Sequence, residues 1–525
     1  MEKLLPENLY LGIELGSTRI KCALIDEFGN NLENGVFNWE NTYLDGNWTY
    51  DLNQALYGVG QCYLDLKKNI LLKYGKKLTS LKTIGISAMM HGLIVEDENN
   101  RLLTPFRTWR NTYTEEVANE LSSELNFNIP ARWTLSHLYY AIKNKEPFIE
   151  HISKVSTLAS YIHKKLTNTY CIGKDDASGV FPLENGKTYN PKYIKKVDSL
   201  FSKLGCNLKI ENVLPPIIDC GLNAGALSPE GALILDPDGD LVPGIPFVAP
   251  EGDAATGMVS TNAIKVKSGN ISAGTSIFGS FVLSELPKTF HREIDIVNTP
   301  DGKVVAMVHC NNCSSGLNEC VSLINDTLHK FGVWKSENEI FETILNSALT
   351  YKGSLKHLVT YNYLSGENIT HIQDGAMLIA HSNETSLSID KVILSQLFSS
   401  FITLSLGLDI LKNEGLEFND IYVHGGIFKT KGVAQKVFAS SIDEKIIVNS
   451  EAAEGGAWGM ALLALYHHYQ KDYSLEDYLM KIIFKDTKTT IEYPDTNLKK
   501  LFNQFKVTYL SCLEAEKLLG EKIKC

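Results

Sequence analysis

No apolar run in this chain is long enough to cross a membrane, and the N-terminus, Met1-Glu2-Lys3-Leu4-Leu5-Pro6, lacks the apolar core of a secretion signal. Both absences predict a cytoplasmic chain with no membrane partner. A disulfide framework is also missing. The ten cysteines are scattered through 525 residues, mostly in apolar contexts such as Ile20-Lys21-Cys22-Ala23-Leu24, and read as reduced core residues. The one close pair, Cys310-Asn311-Asn312-Cys313, has only His309 for company, so it reads as a strand leaving the core into a polar loop rather than as a zinc site. Positive charge is in short supply: 50 Lys and Arg stand against 61 Asp and Glu, a net charge of −11. That balance disfavours nucleic acid and anionic membranes but leaves a nucleotide open, because local loops and a metal ion can supply the compensating charge. No Gly-x-x-x-x-Gly-Lys-Ser/Thr run exists, which excludes a P-loop kinase, and the dinucleotide-binding glycine fingerprint is absent too.

What is present is a repeat. Ile13-Glu14-Leu15-Gly16-Ser17-Thr18 and Ile271-Ser272-Ala273-Gly274-Thr275-Ser276 lie 258 positions apart, and each is an apolar run ending in Gly and two hydroxyl residues. Each then resumes as a second apolar run, Ile20 to Ile25 and Ile277 to Leu283. Such a strand-turn-strand unit offers backbone N–H groups and hydroxyls in a small concavity that suits phosphate oxygens. Two copies half a chain apart predict a duplicated, two-lobed protein that grips a nucleotide's phosphates from both sides. The length asks for two large domains in any case. No Pro/Ser/Gly-rich linker separates the halves, so the duplication itself sets the expected boundary near 258–262, giving domains 1–258 and 259–525.

Strands and helices interleave as in an α/β fold. Leu52, Leu56, Val59, Tyr63, Leu66 and Ile70 keep helical spacing over residues 51–74, with Asp51 and Gln54 resembling a capping box and Gly75 as the stop. Thr83 to Ser87 reads as a short strand reaching a loop at Met89-Met90-His91-Gly92. Ile393 to Leu411 marks a second buried helix closed by Gly415, followed by a strand Ile421-Tyr422-Val423, the pair Gly425-Gly426, and a helix from Thr430 to Ser441. Val242 to Pro250 is strand-like and gives way to a small-residue helix start at Asp253.

These residues resemble, in order and over nearly the whole chain, the FGGY carbohydrate kinases, and among them most closely the xylulokinases. The motifs are the phosphate loop Gly12 to Lys21, the sugar loop Ile86-Ser-Ala-Met-Met-His-Gly92, the segment Trp109-Arg110-Asn111, Ser160 to Thr167, Asp176-Ala-Ser-Gly179, and Pro250-Glu-Gly-Asp-Ala-Ala-Thr-Gly257. The second phosphate loop Ser272 to Ser276, Gly425-Gly426 and the run Glu454 to Leu463 complete the series. The sequence departs from the family pattern at Glu14, where Asp is usual, at Ala254, where the xylulokinase motif commonly has Asn, and at Gly425-Gly426-Ile427, where a third glycine is usual.

The resemblance implies an actin-like, RNase H-like α/β fold of duplicated domains around an interlobe cleft, with sugar mainly on the first lobe and ATP mainly on the second. It implies ATP-dependent phosphorylation of a ketopentose, D-xylulose to D-xylulose 5-phosphate, with Asp253 as general base. A helix start there is expected to keep the carboxylate ionised, and the bland alternative is that Asp253 only caps that helix. Glu14 would hold Mg²⁺ as a hard oxygen ligand, or else be a buried acid bonded to turn amides. Ser17, Thr18, Gly274 and Thr275 would contact the β- and γ-phosphates, Lys21 would neutralise phosphate charge or be a solvated strand residue, and Gly425 and Gly426 would lie on the adenosine side. Met90, His91, Trp109 and Arg132 are the sugar-side candidates, Trp109 being as well suited to packing its loop. A homodimer is left open. The competing readings are a kinase for another ketose or polyol such as ribulose, L-xylulose or fuculose, a non-catalytic sugar-sensing relative, and a chaperone-type ATPase. Asp253 argues against the second, and the Met-His loop against the third.

Overall fold

Each of the two hydroxyl-bearing turns closes a β-hairpin, and each hairpin seeds its own sheet. In the first, Tyr10–Leu15 runs antiparallel to Arg19–Ile25, with Leu15 opposite Ile20 across the turn. In the second, Ser268–Ala273 runs antiparallel to Ile277–Val282, with Ala273 opposite Ile277. The computed structural model describes residues 4–429, 432–449 and 455–523. The chain forms two units. The first comprises Met1–Val266, Phe290–Val305 and Glu451–Thr487, and the second Lys267–Thr289, Ala306–Ser450 and Lys488–Cys525.

The sheets grow by one rule. In the first unit the order is Asn31–Asn38, Arg19–Ile25, Tyr10–Leu15, Thr83–Ala88, Pro246–Val248 and Asn223–Ala226. The hairpin and Asn31–Asn38 are antiparallel, whereas Thr83–Ala88 lies parallel to Tyr10–Leu15 and reaches it through the helix Leu52–Tyr74. In the second unit six strands follow in the order Val304–Cys310, Ile277–Val282, Ser268–Ala273, Asp420–His424, Ile446–Asn449 and Thr489–Glu492. Asp420–His424 is again parallel to the first hairpin strand, and again follows a long helix, Ile389–Asn413. The duplication visible in two six-residue strings therefore extends to the topology: hairpin, third strand, long helix, parallel strand. Both long helices end where a glycine in the left-handed region follows, Gly75 at φ 64° and Gly415 at φ 87°.

Burial explains the helices. Leu52, Ala55, Val59, Cys62, Tyr63, Leu66 and Ile70 form one buried face of Leu52–Tyr74 and join Leu11, Ile13, Ile20, Cys22 and Leu24 of the hairpin in the first unit's core. Asp51 caps this helix by accepting from the Asn53 N–H at 2.8 Å, a simple cap where a capping box was expected. Ile389–Asn413 has the length and apolar character of a membrane span, contrary to the expectation that nothing here does, but 83% of its most apolar window is buried inside the protein, as suits a core helix. Among the described cysteines all are free thiols. The strand expected over Val242 to Pro250 is confined to Pro246–Val248, and the helix expected from Thr430 is Ala434–Ile442; Thr430 itself lies outside the described residues.

The first unit continues to Val266 and then takes back two later segments, which a boundary near 258–262 did not provide for. The reason is packing. Helix Gly455–Tyr466 is buried along almost its whole length and lies directly against strand Tyr10–Leu15. A Cβ on Gly12 would stand 2.1 Å from the Ala457 carbonyl oxygen and 2.3 Å from the Ala461 nitrogen, so only glycine lets strand and helix backbones approach this closely. Gly12→Ala is accordingly expected to destabilise the chain by about 1–3 kcal/mol, the usual cost of overpacking a filled core, read as a lower urea midpoint with an unchanged slope.

Candidate active site

Two strand ends build the acid end of the site. Glu251–Gly252 adds to the sheet in parallel with the last two residues of Thr83–Ala88, pairing Glu251 with Ser87 and Gly252 with Ala88. Parallel strands in register finish at the same level, so the next residues of each emerge side by side: Met89 to Gly92 from one strand, and helix Asp253–Ser260 from the other. The Met90 N–H donates to the Asp253 carboxylate, as do the N–H groups of Asp253 and Ala254. Ser87 Oγ and Thr256 Oγ1, 3.1 Å apart, tie the two segments together one turn below.

His91 takes a left-handed backbone, φ 70°, and is 6% exposed. Its ring lies nearly parallel to Trp133 at 6.1 Å, and Nδ1 sits 3.3 Å from the Gly179 carbonyl oxygen, to which its N–H tautomer donates. The Gly92 N–H donates to the Arg132 carbonyl at 3.0 Å. Met90, His91, Asp253, Arg132, Trp133 and Gly179 are thus one cluster.

Burial is the main influence on Asp253, and the negative charge of Glu14 is the next. Together they push its carboxyl up to about 7 against the pull of three main-chain N–H groups. The expectation that the helix start keeps Asp253 fully ionised is corrected: amides at a helix N-terminus lower a carboxyl's pKa, but desolvation outweighs them here. Nor is Asp253 the cap. Gly252 holds that position, and Asp253 is the first residue of the helix.

Glu14 and Lys21 are cross-strand partners in the first hairpin. Burial raises the Glu14 carboxyl, while Lys21 and the Ala457 N–H draw it down. Lys21 therefore faces an acid rather than bulk water alone. Among the described residues no cluster of three or more acids, histidines or cysteines could enclose a metal ion. Mg²⁺ needs no such cage, since it takes one or two carboxylates and fills its remaining positions with water and substrate phosphates. Glu14, a carboxylate raised by burial, is a hard-oxygen donor that fits it.

The two turns present the same chemistry. Ser17 and Thr18 are exposed, while the carbonyls behind them are occupied: Trp39 Nε1 donates to Gly16 at 2.7 Å, Tyr50 Oη to Ser17 at 2.8 Å, and the Trp39 N–H to Thr18 at 3.2 Å. In the second unit Gly274 and Thr275 are exposed, and their carbonyls accept from Ser314 Oγ at 2.7 Å and from the Cys313 N–H at 2.8 Å. The glycine N–H of each turn closes the turn itself, Gly16 donating to the Arg19 carbonyl at 2.9 Å and Gly274 to the Ser276 carbonyl at 2.8 Å, so Ser17, Thr18 and Thr275 are the exposed hydroxyl residues. Strand Asp420–His424 ends against the second turn, where a Cβ on Gly425 would stand 1.9 Å from the Ala273 carbonyl oxygen, and Gly426 starts a short 3₁₀ turn beyond it. Glu454 of the quoted motif lies outside the described residues.

Arg132 and Trp109 fare differently. The Arg132 guanidinium is paired with Asp295, whose other oxygen accepts from Asn128 Nδ2 at 2.9 Å. Asp295 comes from the segment Phe290–Val305 that rejoins the first unit, so nothing near Arg132 in sequence pointed to it. Trp109 is 37% exposed, and its neighbours fix the loop to Trp48: Arg110 lies over that indole at 4.4 Å, and Asn111 Oδ1 accepts from the Trp48 N–H at 2.8 Å. Trp133 and Gly179 were not singled out from sequence, although Gly179 closes the quoted Asp176-Ala-Ser-Gly run.

Residues 9–260 match the model of the N-terminal domain of the FGGY family of carbohydrate kinases, and residues 269–468 match that of its C-terminal domain. The chain belongs to this family. It is 22% identical to a xylulose kinase of Haemophilus influenzae over 96% of this chain and 99% of that one. Its fold resembles the ligand-bound xylulose kinase of Lactobacillus acidophilus, with a TM-score of 0.79 at 15% identity over 98% and 100% of the two chains. The gluconate kinase of the same species is nearly as similar, with a TM-score of 0.78 at 15% identity over 98% and 99%. The chain is thus a carbohydrate kinase with the duplicated actin-like α/β fold, and membership implies ATP as phosphoryl donor.

A buried acid that titrates near neutrality leaves a kinetic mark. A base must be ionised to accept a proton, so kcat/KM should fall about tenfold per pH unit below the pKa and level off above it. Were Asp253 the base, its carboxyl pushed up to about 7 should bend the acid limb near neutrality in a profile from about pH 5 to 9. A limb bending at an ordinary carboxyl pKa would contradict the placement.

Proposed function

We propose that the chain phosphorylates D-xylulose at its terminal hydroxyl, giving D-xylulose 5-phosphate, with Asp253 accepting the hydroxyl proton. The observation that carries this reading is the juxtaposition of the Met90-His91 loop with Asp253, joined by the Met90 N–H. Phosphoryl transfer asks little covalent chemistry of a protein; it asks for positioning, charge neutralisation and a proton acceptor. Imidazole both donates to and accepts from hydroxyls, so His91 would read a polyol without fixing a charge beside it. Asp253, ionised in about half the molecules near neutrality, would take the proton as the oxygen attacks. Ser17, Thr18, Gly274 and Thr275 would hold phosphate oxygens through hydroxyls and N–H groups, Lys21 would offset their charge, and Gly425 and Gly426 would admit the nucleoside. Mg²⁺ at Glu14 would neutralise charge on the transferred group.

The xylulose kinases among the relatives support the sugar, and the gluconate kinase names the rival. A gluconate carboxylate needs a cation to spare, whereas the guanidinium of Arg132 is already compensated by Asp295. Ala254 offers no side-chain amide to a sugar, so His91 carries more of the discrimination. Sites that bond a substrate hydroxyl discriminate strongly, because a mismatch leaves a buried polar group unpaired.

The test is ADP release by purified protein with D-xylulose, L-xylulose, ribulose, fuculose, rhamnulose, glycerol and gluconate. D-Xylulose should give the highest kcat/KM, and His91→Ala should raise its KM by about tenfold while leaving the KM for ATP unchanged. Another acceptor exceeding D-xylulose by more than about tenfold would reassign the substrate and leave the kinase standing.

A further inference from the structure

The segment Cys310-Asn311-Asn312-Cys313, set aside as a zinc site, has no part in the reaction as described, yet it leads straight to the second phosphate turn. Strand Val304–Cys310 ends there, and helix Ser315–Lys330 begins just after Ser314. Between them, Cys313 and Ser314 clamp two successive carbonyls of the turn. The Cys313 N–H donates to the Thr275 carbonyl at 2.8 Å, and Ser314 donates twice to the Gly274 carbonyl, from Oγ at 2.7 Å and from its N–H at 3.2 Å. The clamp is itself gripped. The Cys313 carbonyl accepts from Asn362 Nδ2 and from Ser400 Oγ, both at 2.7 Å. Asn362 closes strand Leu358–Asn362, Ser400 lies in the middle of helix Ile389–Asn413, and both are fully buried, as is Cys313. Space is as tight as the bonding: a Cβ on Gly316 would stand 2.8 Å from Asn362 Cβ.

We propose that Asn362 and Ser400 are positioning residues for phosphate binding, acting through the peptide group that joins Cys313 to Ser314. The Cys313 carbonyl and the Ser314 N–H belong to that one planar group and point in opposite directions. Two donors occupy both lone pairs of the oxygen and fix the plane, which leaves the N–H on its far edge aimed at Gly274. Bonds to the oxygen also polarise the peptide and make its N–H a better donor. Ser400 has one hydroxyl proton and a second acceptor in reach, the Gln396 carbonyl at 3.0 Å. That carbonyl already takes the Ser400 N–H within its own helix, so the shorter bond to Cys313 is the one that adds a partner. The carbonyls of the first turn are held instead by Trp39 and by Tyr50 Oη, so this device belongs to the second turn. If the 313–314 peptide swings, Gly274 and Thr275 move with it, and the Thr275 hydroxyl loses its place.

The hold on the turn stands on these bonds alone, whereas its use for phosphate rests on the reading of Gly274 and Thr275 given above. Two measurements on the full chain separate them, each comparing wild type with Asn362→Leu and with Ser400→Ala. Hydrogen exchange over residues 313–316 reads the clamp, because the Cys313 and Ser314 N–H groups are its donors. It should be about tenfold faster or more in each variant, with exchange in the other strands of the same sheet unchanged. Calorimetry with ADP and Mg²⁺, and with adenosine, reads the use. ADP affinity should fall about fivefold or more, while adenosine affinity stays within about twofold of wild type. Unchanged exchange over 313–316 in both variants would overturn the proposal. Equal losses of ADP and adenosine affinity would also overturn it, since a merely structural role would loosen the whole nucleotide site. Faster exchange with ADP affinity intact would overturn the phosphate half, and the reading of Gly274 and Thr275 with it, while the hold on the turn would stand. Ser400→Ala, which removes a single oxygen, decides the matter should Asn362→Leu not fold.

Discussion

Two residue pairs, Glu251 with Ser87 and Gly252 with Ala88, fix the register on which the candidate site is built. A parallel pairing has no turn to tie its strands, so the ends are free to lead elsewhere. Here one leads into the Met90-His91 loop and the other into the helix that begins at Asp253. A slip of one residue would turn Asp253 to the opposite face of its segment and part it from the Met90 N–H. Much of the first unit serves this register. The Ser87–Thr256 contact holds it from below, and the reciprocal bonds of Asp175 and Glu251 hold it from the side.

The same arrangement sets the electrostatics. Glu14, Asp175, Asp176, Glu251 and Asp253 come from three separated stretches of chain, and burial raises every one of their carboxyls. Such crowding opposes stability unless protons or cations offset it. Lys21 offsets part at Glu14. Asp253 is left with a carboxyl that gives and takes a proton near neutrality, which is the property a general base needs.

The fold was legible because its signals are local or repeated. Two near-identical strings announced the duplication, and the 3.6-residue spacing of Leu52 to Ile70 and of Ile393 to Leu411 gave the long helices of each unit. The juxtaposition of Met90, His91 and Asp253 was legible through the ordered motifs that name all three as site candidates. What stayed hidden depends on long-range packing. Asp295 reaches Arg132 from a segment that crosses back after the first unit has ended, and no pattern near Arg132 announces it. The pKa of Asp253 was misjudged because a helix start is visible in sequence and desolvation is not. Likewise, Asp51 looks set for a capping box by spacing alone, but the geometry at its first turn gives a simple cap.

Asp253 as proton acceptor is the claim on which the account turns, and single-turnover phosphoryl transfer tests it most directly. The comparison is between wild type and Asp253→Asn, with D-xylulose and ATP affinities measured separately by calorimetry. The amide keeps the size of the carboxylate and removes its ability to take a proton. The account predicts transfer slowed by about 10²-fold or more, with both affinities within about threefold of wild type. Transfer at a near-normal rate in the variant would contradict it.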